Sequence, residues 1–488
     1  MGTYGGSVVS NNILLAMAQN LYKRVFTYTL DNSFLAKASG DYVNKTPAVT
    51  GNRRKFIVMT YANICNDAET TLFGGVTAAN TDFFRLSVTS DGVPFLQNYT
   101  SGAYNAHFTW SVNLRDYCSF VPVLLTVDTS QVTQADRFNL YVGWEFASVG
   151  TTYVAPAQDL DCNWNYTALP MGFGTNQFLN HSDCYHSQSM NLDGVSIQSG
   201  DFAISDFYDV SPSIPALNVP KDLSAFSTSK GTNGVLLEYA GATLGVDSFG
   251  GSDWTVGGTS EQTENTPTNR HCIWNALEPS GPTLSNGNRT MTAAEVHGTL
   301  LIDAGKFAWT FSATSNAAVG VEEEDGTEST ITSAAASTDE FFLDADAGTL
   351  SYKRDGGSLT SIATGLTGPY RILSKAAGTL ATEITPTEVG YKTLCTENFS
   401  NPDLSARSGS YTANGSADGP YIPSGVMTDK VTIDSVVYER GIDSEIDFTA
   451  GGFKLRTAGV PNDSGVKSWS IAEIDIITGE KYAQSQAN

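Results

Sequence analysis

Arg137-Phe138-Asn139-Leu140-Tyr141-Val142-Gly143-Trp144-Glu145-Phe146 carries the fold in its rhythm. Phe138, Leu140, Val142, Trp144 and Phe146 alternate with Arg137, Asn139, Tyr141, Gly143 and Glu145. A period of two is what a strand with one face in a core and one in water produces, so the run predicts one such strand. The pattern recurs at Phe84, Leu86 and Val88, at Phe307, Trp309 and Phe311, and at Val431, Ile433 and Val437. Ala472, Ile474 and Ile476 repeat it around Glu473 and Asp475. Phe56 to Tyr61 is apolar on both faces and suits a central strand. Asp346-Ala347-Gly348 and Asp355-Gly356-Gly357 read as turns on either side of a strand from Thr349 to Lys353. One helix stands apart. Asn11 or Asn12 caps a run in which Leu14, Met17, Ala18 and Leu21 share a face, with Lys23 and Arg24 in the last turn. That face fits an attachment contact or the protein's own sheet equally well.

The expected fold is therefore all-β: tandem β-sandwich (jelly-roll) domains with a short N-terminal helix. The 488 residues exceed what one core holds, and about two to four domains are expected. The net charge of −24, from 27 basic against 51 acidic residues, repels phosphate backbones and anionic lipid. Neither nucleic-acid binding nor membrane insertion is expected. No stretch reaches the roughly 20 apolar residues of a membrane span. The N-terminus lacks a basic region ahead of its apolar run, so no secretory signal is expected. Cys65, Cys118, Cys162, Cys184, Cys272 and Cys395 are widely spaced, and buried reduced thiols are the base reading. A Cys162–Cys184 bridge stays open on spacing alone.

Residues 207–232, with Pro212, Pro215 and Pro220, break the alternation and read as a linker. A Gly/Thr/Asn-rich tract over 241–296 is long for a structureless loop and is expected to carry strands whose positions the pattern does not give. The resulting division is 1–40 for helix and attachment segment, 41–207 for a first sandwich, and 208–296 for linker and connecting strands. A second sandwich over 297–394 and a small β-domain over 395–488 complete it.

Several segments carry a resemblance. Asp41-Tyr42-Val43-Asn44-Lys45-Thr46-Pro47, Gly51-Asn52-Arg53-Arg54-Lys55, Val127-Asp128-Thr129-Ser130-Gln131 and Asp136 to Val142 resemble the concanavalin/laminin-G-like domain of marine tailed-phage structural proteins. Val219 to Ser224, Gly231 to Leu237, Asp253 to Val256 and Asn265 to Asn269 are similar to the connecting region of the same proteins. Gly305-Lys306-Phe307-Ala308-Trp309, Asp344 to Lys353 and Gly365 to Tyr370 resemble a SPRY-like sandwich. Leu394 to Asn398, Asn414 to Pro420 and Gly452 to Arg456 look like the family's small C-terminal β-domain. Trp469-Ser470-Ile471-Ala472-Glu473 departs from the family's aromatic closing strand, and the first 40 residues match nothing in it. The resemblance implies a virion protein assembled in the host cytoplasm, of the tail fibre, spike or appendage type. Its implied partners are other virion proteins, further copies of itself (a trimer, for a fibre) and a host surface glycan. A capsid decoration or connector protein is the alternative, and a polysaccharide depolymerase is a third reading from another class.

Candidate sites are few. His181, Asp183, Cys184 and His186 offer metal-ligand types, but their spacing matches no structural zinc pattern, and a polar surface loop is the plainer reading. Glu322-Glu323-Glu324-Asp325-Gly326 offers calcium-type oxygens, yet adjacent strand residues face opposite ways, which favours a solvated loop. Asp344 and Asp346 share a parity but sit at a hairpin entry, where Asp is common for turn reasons. Trp110, Trp144, Trp164, Trp254 and Trp274 are sugar platforms by type and core residues by base rate. Trp164, flanked by Asn163, Asn165 and Tyr166, is the binding candidate among them. No GxSxG, HExxH, Walker or GxGxxG pattern and no marked carboxylate pair appears, so no catalytic residue and no cofactor is expected.

Overall fold

The computed structural model describes residues 28–398, apart from 39, 66–67, 78, 115–119, 144, 175–182, 211–217, 242, 277–281, 293, 303 and 324–325. Beyond these it describes 407–413, 421–423, 430–434, 436–439, 446–448, 452–455 and 465–471. The predicted N-terminal helix, Trp144 and the strand read at Ala472 to Ile476 lie outside the described residues. Strands and short 3₁₀ turns make up the described structure, with no α-helix among them. The protein is all-β, and no helix among the described residues is long and apolar enough to cross a membrane. Residues 28–398 belong to one compact unit, and the described residues after 406 belong to another.

The first sandwich packs two sheets. One holds β1 (Ser33–Ala36), β3 (Lys55–Ile64), β8 (Val121–Asp128), β9 (Phe138–Val142), β10 (Glu145–Ala147), β13 (Cys184–Asp193), β16 (Val235–Leu237) and β18 (Glu261–Thr263). The other holds β2 (Tyr42–Lys45), β4 (Thr70–Val76), β5 (Phe83–Val88), β6 (Pro94–Thr100), β7 (Ala103–Trp110), β11 (Val149–Val154), β12 (Met171–Gly174) and β17 (Thr255–Gly257), in the spatial order β11-β7-β6-β5-β4-β12-β2-β17. β14 (Tyr208–Val210) and β15 (Asn218–Pro220) form a separate hairpin.

Between the sheets lie Phe84, Leu86 and Val88 of β5, as their alternation predicts, together with Phe56 and Val58 of β3. The other face of β3, with Ile57, Met59 and Tyr61, is buried too, in a second core. Its cover comes from an unexpected place. Phe207, Tyr208, Leu223, Phe226 and Phe249 lie in this second core, and Phe207 and Phe226 stack at 5.1 Å. The tract read as a linker is instead a coat on the first sheet. It shows no alternation because single large side chains plug the sheet from irregular backbone. β16 follows it, and β17 and β18, in the 241–296 tract read as holding strands, extend the two sheets. β1, assigned by sequence to the attachment segment, is likewise a sheet strand, pairing with β13 and β18. A carboxylate ties three loops together here. Asp193 accepts the Asn52 and Asn233 backbone N–H groups at 2.7 and 3.0 Å and the Asn165 side-chain amide at 3.2 Å.

The opening decapeptide is two strands, not one. Gly143 adopts a φ of +60° and the chain reverses, pairing Val142 with Glu145, Tyr141 with Phe146 and Leu140 with Ala147. Phe146 therefore shares a face with Tyr141, meets its ring at 5.5 Å, and remains 56% exposed.

In the second sandwich, Lys306–Ala313 pairs with Thr338–Asp344, Gly378–Ala381 and, in parallel, Lys392–Thr393. Phe307, Trp309 and Phe311 are buried there as predicted, with Trp309 stacked on Phe341 at 5.4 Å. Asp346-Ala347-Gly348 and Asp355-Gly356-Gly357 turn the chain on either side of Thr349–Arg354. Val296–Ile302, Tyr370–Ser374, Ala317–Glu323 and Glu328–Ser333 form the facing four-stranded sheet. In the C-terminal unit, Lys430–Ile433 lies between Val436–Glu439 and Gly465–Ile471, with Val431 and Ile433 buried.

Candidate ligand-binding face

The sequence-derived candidates end up as structure. Trp164 is fully buried, with its ring 5.7–6.5 Å from those of Phe84, Phe73 and Phe56. Its indole N–H donates to Asn191 Oδ1 at 2.9 Å, so both the buried ring and its polar edge are used by protein. Trp110, Trp254 and Trp274 are core residues as well, at 1%, 5% and 1% exposure. His181 lies outside the described residues. Asp183 accepts the Gly287 N–H at 2.6 Å, anchoring the second sandwich to the first. His186 stacks on Phe34 at 5.6 Å inside the inter-sheet core, with Nδ1 3.3 Å from Thr60 Oγ1. Asp183 and His186 are thus each taken up by a different part of the fold. The five described cysteines, Cys162 and Cys184 among them, are buried free thiols, and burial raises the thiol pKa of both of these two.

The acidic run is also not a solvated loop where it is described. Glu322 and Glu323 are buried, at 7% and 6% exposure. Glu323 accepts the Thr367 N–H at 2.6 Å, and Glu322 is bonded by His297 and by Arg371. Ligand atoms of Glu295, His297 and Glu322 lie within 4.8 Å of one another, the one such metal-competent group among the described residues. Arg371 and Lys375 already supply cations to its two carboxylates, at 3.2 Å each, so the group is a closed ion-pair network. Asp344 bonds Lys306 and the Ala347 N–H at the hairpin entry, the turn role expected of it.

Buried titratable groups give this fold a defined response to acid. Burial holds His186 and His271 neutral, pushing them down to about 3 and about 4 from 6.5. Below pH 6.5 the unfolded chain takes up protons that the fold refuses, so each histidine withdraws ~1.4 kcal/mol of stability per pH unit. Glu383 acts in reverse: burial raises it to about 7 from 4.5, so the fold keeps a proton the unfolded chain releases. Acidification through that window restores stability at the same rate. Urea titrations between pH 6.5 and 4.5 are expected to show stability falling on acidification more steeply in Glu383→Gln than in the wild type, by ~1.4 kcal/mol per pH unit.

What the sandwich does offer outward is the far face of its second sheet. Along β5 and β6 the residues opposite to the core positions are Phe83 and Arg85, facing Tyr99 and Gln97 across the strand pair. Gln97 faces His107 on β7, and a register shift brings Tyr104 opposite Tyr99. The rings form a continuous series. Phe83 stacks on Tyr99 at 4.9 Å, Tyr99 meets Tyr104 at 4.9 Å, Tyr104 meets His107 at 4.7 Å, and His107 meets Tyr153 of β11 at 4.5 Å. Tyr104 and Tyr153 are 40% and 61% exposed, and β11 is exposed over Val149 to Tyr153. Polar groups sit among the rings: Gln97 Nε2 lies 3.4 Å from the Tyr104 hydroxyl and 3.2 Å from His107 Nε2. Rings of this kind combine a large apolar face with a hydrogen-bonding edge. Among the described residues, the tryptophans weighed as sugar platforms lie in the cores, apart from this series. Its trace in the sequence is that Gln97 and Tyr99 occupy the parity opposite to buried Leu96 and Asn98.

No family model matches the sequence, and no curated protein matches it. Among solved structures, domains LG4-5 of the mouse laminin alpha1 chain are similar at 10% identity and TM-score 0.31, over 74% of this chain and 90% of that one. A heptameric SAP-like pentraxin from Limulus polyphemus is similar at 10% and 0.27, over 35% and 80%. The SPRY domain of human HERC1 is similar at 12% and 0.19, over 23% and 99%. The strand registers establish the architecture by themselves.

Proposed function

We propose that this chain is a binding protein of a tailed-phage particle, a fibre, spike or other appendage that attaches to a host surface glycan. The phage setting comes from the sequence resemblance. The binding surface comes from one observation: the Tyr104–His107–Tyr153 stack, with both tyrosines open to solvent on the outside of the first sandwich. A flat ring covers the C–H face of a sugar, and the phenolic hydroxyls at the ring edges meet its hydroxyls. Single aromatic faces bind weakly, and copies displayed together on a homo-oligomer would raise avidity without new contacts. Nothing in the arrangement calls for turnover, and the reading is one of adhesion without catalysis.

Tyr104→Ala and Tyr153→Ala are each expected to weaken glycan binding tenfold or more, as loss of an aromatic anchor does at other interfaces. Calorimetry on hits from a glycan array measures this. Unchanged affinity in both variants would remove this face from the function. Immunogold label on intact particles is expected at the tail or its fibres. Label spread over the head would replace attachment by decoration.

A further inference from the structure

Beside the Phe83 end of the ring series lies a guanidinium that is already engaged. Arg85 Nη1 meets the Glu69 carboxylate at 2.7 Å, and its Nε donates to Gln97 Oε1 at 2.8 Å. The Phe83 and Phe95 rings lie 5.9 and 5.0 Å from the guanidinium carbon. The Arg85 side chain is 12% exposed against 32% for Glu69, so the carboxylate is the outer member of the pair. Paired carboxylate recognition is what a guanidinium does best, and here the protein supplies the carboxylate itself.

A second consequence runs along the same bonds. With Oε1 held by Arg85, the Gln97 amide turns its N–H toward His107 Nε2, 3.2 Å away. An N–H facing that nitrogen needs a lone pair there, so His107 is the neutral tautomer with its proton on Nδ1. Burial first, and Arg85 second, push the His107 pKa below its ordinary value, in agreement with that assignment. Neither basic group therefore presents free positive charge, and a chain carrying −24 repels anionic polymers at longer range.

We propose that this face recognises neutral sugars, and that Glu69 is its specificity residue, excluding acidic sugars by occupying the anion position on Arg85. The inference rests on the glycan-binding reading above and deepens it. Discrimination here works by an unfavourable element, a fixed carboxylate set where a ligand carboxylate would have to go.

The test uses the full chain and matched probes: lactose against sialyllactose, and oligogalactan against oligogalacturonate. The wild type is expected to bind neutral members at least tenfold more tightly than their acidic partners. Its affinity for them should not change between about 0.05 and about 0.5 M salt, a range over which exposed charges become screened. Glu69→Gln frees the guanidinium and should raise affinity for the acidic members by about tenfold. The double variant Glu69→Gln with Arg85→Gln should lose that gain. Wild-type binding of acidic and neutral members alike, or steep salt dependence, overturns the inference while leaving the face as a glycan site. The salt series needs no variant, so it decides the matter even if Glu69→Gln fails to fold. No gain in a folded Glu69→Gln overturns the role of Glu69. No binding of any sugar, here or on the array, overturns the underlying reading with it.

Discussion

Trp164→Ala is expected to destabilise the first sandwich by about 3–5 kcal/mol, the range for removing a large aromatic from a packed core. Three phenylalanine rings lose their common neighbour, and Asn191 Oδ1 loses the indole N–H at 2.9 Å. Asn191 also donates to Asn165 Oδ1 and to the Asn233 carbonyl, so the damage reaches the loops that Asp193 gathers. Urea denaturation should show a lower midpoint with an unchanged slope. Tyr153→Ala is the contrast, with a stability change within about 0.5 kcal/mol because the residue is 61% exposed and, among the described residues, its ring meets that of His107 alone. If instead Trp164→Ala left stability intact and abolished glycan binding, Trp164 would be the platform and the outer tyrosines would not.

A second large effect is expected in the other sandwich. Glu322→Ala leaves Arg371 and His297 in place without the carboxylate that both bond, and the Arg371 side chain is 5% exposed. Removing one member of such a pair costs about 3–5 kcal/mol. Hydrogen exchange of the amides in Ala317–Glu323 and Tyr370–Ser374 would report the loss locally. The double variant Glu322→Leu with Arg371→Met should recover most of it, since well-packed apolar residues commonly match a buried ion pair. A double variant as unstable as Glu322→Ala would mean that the network contributes more than charge balance.

Sequence reading succeeds where burial is set by near neighbours and fails where it is set by distant ones. Phe84, Leu86, Val88 and the Phe307–Trp309–Phe311 set were legible because a local period of two fixes which side of a strand is wet. Phe138 to Phe146 kept that period and still misled. The turn at Gly143 pairs Val142 with Glu145, so parity inverts across it and Phe146 joins the face of Tyr141. An unbroken pattern can thus span a chain reversal, and only the glycine marked it. The coat over the first sheet was illegible for another reason. Phe207, Leu223 and Phe226 are irregularly spaced, and what they cover is supplied by strands far away in the chain. The acidic run misled because its spacing says nothing of Arg371, which lies 49 positions on and turns Glu322 from a wet residue into a buried one. The ring series has the same character. Tyr104, His107 and Tyr153 meet only because β11 lies beside β7, a pairing that no short window of sequence contains.

The place of β1 inside the first sheet carries a consequence for how the chain is made. Ser33 bonds Thr263, 230 positions later, and β1 sits between β13 and β18. A ribosome adding ~5–20 residues per second needs on the order of ten to fifty seconds to deliver β18 after β1 has emerged. During that interval β1 waits with Phe34 and Leu35 lacking the neighbours that later bury them. Nascent chains stalled before residue 263 should therefore be protease-sensitive around β1, and the first sandwich should become resistant all at once when β18 clears the exit tunnel.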